Sequence, residues 1–292
     1  MRIKNLISFA FLLLLGTCLA PPSAYCREKP LVRFGVNLRF HPITIYERYQ
    51  PLMDYLTQNT PYRFELKISR DYTETLRFLA EGKVDICSVG DGALMKAMLQ
   101  HGAVPIVKPL NDRGRPYYRS CFVVRADSPL RSLQELRGKK VAFGYKHSTT
   151  GNMIPRMVLF KNGITVEQLG SVTNLRHHGA VARAVLKGEF DAGVVKEATA
   201  LRYQKKGVRV LACSEELPSI PLIMRRGAPS ELSAAIQSAL VKLNRADPKD
   251  RKIMSSLDLE YRNGFVPATA ADYRELTTRF KTVPLGCSAR CH

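Results

Sequence analysis

Two stretches of this chain repeat each other in the same order. Val32-Arg-Phe-Gly35 is echoed by Val141-Ala-Phe-Gly144, and Phe78-Leu-Ala-Glu-Gly82-Lys-Val-Asp85 by Ala184-Val-Leu-Lys-Gly188-Glu-Phe-Asp191. From the first motif to the glycine of the second is 50 residues in one copy and 47 in the other. A single four-residue match is chance; two in register indicate a duplicated unit. Each copy reads strand, loop, helix, then helix, Gly, strand. That pattern predicts an α/β fold of two similar lobes facing each other across a cleft. Ligands of open α/β sheets bind beyond the carboxyl ends of the strands, so the loops after Gly35 and Gly144 are expected to point into the cleft.

The ends of the chain carry their own signals. Arg2 and Lys4 precede an apolar run from Leu6 to Leu15, and Pro22-Ser23-Ala24 resembles a cleavage site, so residues 1–24 read as a secretory signal. The run falls short of the about 20 apolar residues of a spanning helix. Leu15-Gly16-Thr17-Cys18 is an incomplete lipobox, so lipoprotein anchoring is the lesser expectation. Loss of residues 1–24 takes the formal charge from +20 to +18. So basic a chain suits anions. An exported protein seldom meets nucleic acid, and no aromatic-plus-basic nucleic-acid motif is present.

The strands and helices alternate along the chain, which predicts a largely parallel sheet. Thr44-Ile-Tyr-Glu47 reads as a capping box opening a helix that Pro51 should kink or split. Residues 31–116 are expected to form the first lobe, 117–206 the second and 207–283 a return to the first. Val208–Cys213 and Ile220–Met224 are the expected returning strands. The two crossings would make a hinge. Cys87, Cys121 and Cys213 fall in apolar strand-like runs and read as buried free thiols; Cys26, in the mature N-terminal tail, has no assignable partner.

Ser148-Thr149-Thr150-Gly151 lies between a strand and a helix expected at 152–162. Three hydroxyls and a glycine before a helix start suit an anion, although one such residue alone would read as an N-cap. The segment lacks the Gly-Lys-Ser/Thr ending of a nucleotide loop. Tyr46, near the corresponding helix start of the first copy, and His178, at the start of the helix before Gly188, are further donors by position. His177 is the alternative to His178.

These residues resemble those of the periplasmic phosphonate/phosphite/phosphate-binding proteins of ABC transporters. Tyr46 with Gln50-Pro51-Leu52, Gly82-x-x-Asp85, Leu136-Arg-Gly-Lys-Lys140, Ser148-Thr-Thr-Gly151 with Pro155, His178, and Gly188-x-x-Asp191-Ala-Gly193 carry the likeness, which spans about Leu31 to Val283. It implies a type II periplasmic-binding fold, a periplasmic location, a small phosphorus oxyanion as ligand and an inner-membrane ABC permease as partner. It also implies that Tyr46, Ser148, Thr149, Thr150, Gly151 and His178 hold the oxyanion. Leu94 stands where the family often has a Tyr, and Gly179 where an Asp often follows the ligand His. Glu197, after Lys196, matches an acid able to hold a ligand amine. These departures fit a smaller oxyanion such as phosphite or phosphate. A sensor or co-receptor contacting a membrane kinase would use the same cleft.

The end of the chain, Cys287-Ser-Ala-Arg-Cys291-His292, lies outside that pattern. It leaves open a disulfide loop, a haem c attachment with Cys287, Cys291 and His292 (and hence an electron carrier), and a soft-metal site or loose tail. The binding reading itself requires no cofactor. Paired catalytic carboxylates, a Ser-His-Asp order and a dense His/Asp/Glu cluster are lacking, so an enzyme is not expected.

Overall fold

A computed structural model describes residues 28–38, 41–146 and 148–282. The expected leader, Cys26 and the tail with Cys287, Cys291 and His292 lie outside the described residues. The chain begins with β1 (Leu31–Asn37), α1 (Pro42–Asn59), β2 (Arg63–Ser69), α2 (Tyr72–Ala80), β3 (Ile86–Ser88), α3 (Asp91–His101) and β4 (Val104–Pro109). The short β5 (Tyr117–Tyr118) leads to β6 (Ser120–Arg125), β7 (Lys140–Phe143), α4 (Ile154–Lys161), β8 (Ser171–Asn174), α5 (His178–Leu186), β9 (Ala192–Lys196), α6 (Glu197–Gln204) and β10 (Val208–Cys213). Then follow β11 (Leu217–Pro218), β12 (Leu222–Met224), α7 (Ser230–Val241), α8 (Pro248–Ser256), β13 (Phe265–Pro267) and α9 (Arg274–Thr282).

Two sheets result, one ordered β13-β4-β12-β3-β1-β2 and the other β10-β6-β9-β7-β8. In each, three strands are parallel, β2-β1-β3 and β8-β7-β9, and an antiparallel strand, β12 or β6, follows. The expected parallel sheet is therefore its core, with antiparallel strands on one side. Between the sheets β5 pairs antiparallel with β11, which places the two crossings of the chain side by side. Val208–Cys213, expected among the strands returning to the first lobe, pairs instead with β6 in the second sheet. The first return strand of the first sheet is β12. An alternating apolar strand fits either sheet, and only the pairing decides.

The duplication is real, but its register differs from the sequence motif. Gly35 opposes Cys87 in the first sheet, whereas Ala142 opposes Gly193 in the second. Gly35 therefore corresponds to Ala142, and Asn37 to Gly144. Asp85 accepts from Arg33 N at 3.0 Å across 52 residues, and Asp191 from Lys140 N at 2.8 Å across 51. The shared Gly-x-x-Asp motif thus ties each third strand to the start of its first, at the end of the sheet away from the cleft.

Other local expectations change for identifiable reasons. α1 starts at Pro42, whose missing N–H suits a first-turn position, so Thr44 and Glu47 lie inside it and form no capping box. It runs through Pro51 because Ile45, Tyr49, Leu52, Met53 and Leu56 remain on one buried face. The expectation of free Cys121 and Cys213 fails, because the two form a disulfide. They oppose each other in the β6–β10 pairing with Cα atoms 4.0 Å apart, the close approach of a non-hydrogen-bonded antiparallel pair. Cys87 is free and buried, and burial drives its thiol pKa upward. Among the described residues, no helix is long and apolar enough to cross a membrane.

Candidate binding cleft

The carboxyl ends of the two sheets face each other. Leu94, Met95 and Ala97 of α3 share a buried cluster with Met153 and Ile154 of the second lobe. Lys196, ending β9, pairs with Glu260 of the first lobe at 2.6 Å.

On the second-lobe side the chain leaves β7 at Gly144 and re-enters a helix through an irregular turn. Thr149–Met153 forms a wide π-type turn before α4, where a plain helix from Asn152 was expected. Gly144 N donates to Gly151 O at 2.7 Å. A Cβ on Gly151 would stand 2.8 Å from the Cα of Gly144, so only glycine lets the strands of this turn meet. Ser148 Oγ accepts from Gly151 N at 3.0 Å and is spent on capping the turn. The carbonyl of Thr150 accepts from Ser120 Oγ at 2.7 Å. Thr149 differs: its side chain is 1% exposed and its Oγ1 is buried without a partner. A buried hydroxyl without a bond is costly in an empty protein.

His178 starts α5 and is half-buried; its Nδ1 is shut off from solvent and has no partner. Burial first, then the Lys196 charge, pushes its pKa down to about 4, so the imidazole is neutral near pH 7. The Val194 backbone acts in the opposite sense to burial and favours the protonated ring. His177 is the cap of the same helix, its Nδ1 accepting from Ala180 N at 3.0 Å. The helix start therefore gives its two histidines separate tasks.

Tyr46 lies 54% exposed on the side of α1 away from the core, bordering an open groove with Ile43, Gln50 and Ile68. Glu197, first in α6, turns to Arg113 at 3.8 Å. Neither is among the buried polar atoms left without a partner.

Sequence reasoning missed three features. Asn37, equivalent to Gly144 by register, ends β1 only 5% exposed with Oδ1 unpartnered. The register shift of the motif hid it. Asn174 Nδ2 donates to Gly144 O at 2.6 Å and to Asn152 Oδ1 at 3.2 Å, and so holds the turn in place. Tyr72, at the start of α2, packs so closely on Gly90 that a Cβ there would stand 2.7 Å from its hydroxyl. A phenol thus reaches the start of α3, where the chain itself supplies Leu94.

Two α/β lobes joined by paired crossings, with polar groups at both facing strand ends, define a two-lobed solute-binding protein. The chain belongs to the family described as "ABC transporter, phosphonate, periplasmic substrate-binding protein", which it matches over residues 34–273. It is 23% identical over 270 residues to the phosphonates-binding periplasmic protein of Escherichia coli, covering 88% of this chain and 79% of that one. With the phosphate-import protein PhnD of Mycolicibacterium smegmatis it shares 28% identity over 157 residues, 50% of this chain and 48% of that protein. The fold is also that of PhnD1 of Prochlorococcus marinus, solved in complex with methylphosphonate, with a TM-score of 0.72 at 16% identity over 88% of this chain and 100% of that one.

Proposed function

We propose that the exported chain, freed of residues 1–24, captures a phosphonate, phosphite or phosphate in the cleft and delivers it to an inner-membrane ABC permease. The observation that carries this reading is the pair of buried, unpartnered atoms Thr149 Oγ1 and His178 Nδ1. Both belong to segments packed against β9. A phosphorus oxyanion satisfies both atoms. Its O⁻ accepts from the Thr149 hydroxyl, and a remaining P–OH donates to neutral Nδ1. The relatives that bind phosphonates and import phosphate support the ligand class. Binding replaces the hydration of the anion by fixed donors and acceptors, and lobe closure excludes water.

Calorimetric titration of the mature protein with phosphate, phosphite and methylphosphonate tests the reading. At least one should bind, and sulfate, which near neutral pH carries no acidic proton, should bind far more weakly. Equal affinity for sulfate, or no binding of any phosphorus oxyanion, would sink it.

A further inference from the structure

The Lys196–Glu260 ion pair spans the two lobes at the place where the ligand is expected. Lys196 is fixed by its position as the last residue of β9, opposite Ser120 of β6. Its Nζ lies 2.6 Å from Glu260 Oε1 and 4.9 Å from the centre of the Tyr118 ring in the crossing strand. Glu260 is held from the other lobe. Its N–H donates to Asp258 Oδ1 at 3.1 Å, and the adjacent Tyr261 hydroxyl contacts Ser88 Oγ, at the end of β3, at 2.5 Å. The side chains are 17% and 33% exposed, so both charges are largely withdrawn from water. Ser120, opposite Lys196, donates through Oγ to the Thr150 carbonyl at 2.7 Å, so the strand end that carries Lys196 adjoins the Ser148–Gly151 turn, and both charges act on the His178 imidazole.

A carboxylate in such a place seeks a cation, because desolvation without a partner is costly. The cation on Glu260 is Lys196 at 2.6 Å, while Arg48 meets Asp258 at 3.6 Å. Lys196 therefore fills at Glu260 the role that the amine of an aminoalkyl ligand would otherwise take.

We propose that Lys196 is a specificity residue: a built-in ammonium that occupies Glu260, so that the cleft takes phosphorus oxyanions without an amine and rejects aminoalkylphosphonates. The proposal rests on the oxyanion reading of the cleft. A ligand amine must displace a tethered ammonium, whose effective concentration at the carboxylate is high. It must also approach the displaced Lys196 charge, a like-charge contact that acts against the wrong ligand.

The test is calorimetry of the full mature chain with methylphosphonate and 2-aminoethylphosphonate. The wild type should favour methylphosphonate. Lys196→Met should shift the affinity ratio toward 2-aminoethylphosphonate by about tenfold or more, the yield of one charge-assisted hydrogen bond. Lys196→Arg should keep the wild-type preference, and adding Glu260→Gln to Lys196→Met should cancel the gain. Thermal melts establish that each variant folds, and Lys196→Gln replaces Lys196→Met if the latter does not. An unchanged ratio in the folded variant overturns the proposal, as does a wild type that prefers 2-aminoethylphosphonate; in both cases the oxyanion reading survives. A wild type that binds neither ligand nor phosphate overturns that reading, and this proposal with it.

Discussion

Gly144 and Gly151 meet back to back where the chain leaves β7: the amide of one donates to the carbonyl of the other at 2.7 Å, and a Cβ on either would lie within 2.9 Å of the other's Cα. The irregular turn between them carries Thr149. Gly151→Ala must force these backbones apart. We expect it to destabilise the fold by about 1–3 kcal/mol, the usual cost of overpacking. Calorimetry should show a loss of oxyanion binding larger than the loss of stability explains. Normal affinity in the variant would show that the close approach is incidental.

Thr149 separates binding from folding. Its hydroxyl has no partner in the empty protein, so Thr149→Val replaces an unsatisfied polar group by an apolar one of similar shape. Stability in urea should hold or rise, while affinity for phosphate or methylphosphonate falls about tenfold or more, as expected when a hydrogen bond to a charged group is lost. A variant that unfolds more easily and binds as well as before would contradict the assignment.

His178 sets a pH dependence. The folded protein holds its pKa near 4 against an ordinary value of 6.5. The unfolded chain therefore takes up a proton in that interval that the folded chain refuses. Stability is full above about pH 6.5 and declines as the pH falls toward about 4, by about 1–3 kcal/mol from this group. His178→Gln should flatten that part of the curve of urea midpoint against pH.

The Cys121–Cys213 bridge closes a loop across 92 residues. In the chain-entropy view such a loop is worth about 3–5 kcal/mol. The Cys121→Ser/Cys213→Ser double variant should lower the urea midpoint accordingly, and reductant should do the same to the wild type but not to the variant. Equal midpoints with and without reductant would show that the bridge does not form in solution.

The sequence alone determined the duplicated α/β architecture, because hydrophobic periodicity and glycine punctuation are local and survive in one dimension. It located the Ser148–Gly151 turn and His178 for the same reason: both sit where a strand gives way to a helix. Tertiary structure decided the rest. Cys121 and Cys213 become neighbours only through antiparallel pairing of β6 with β10, and the same pairing moved Val208–Cys213 to the second sheet. Asn37 rather than Gly35 matches Gly144 because sheet register, not motif spelling, defines equivalence. Lys196 and Glu260 lie 64 residues apart and meet only when the lobes do. Their charges are ordinary in the sequence. Partial burial at 2.6 Å, where water screens them less, gives the pair its weight.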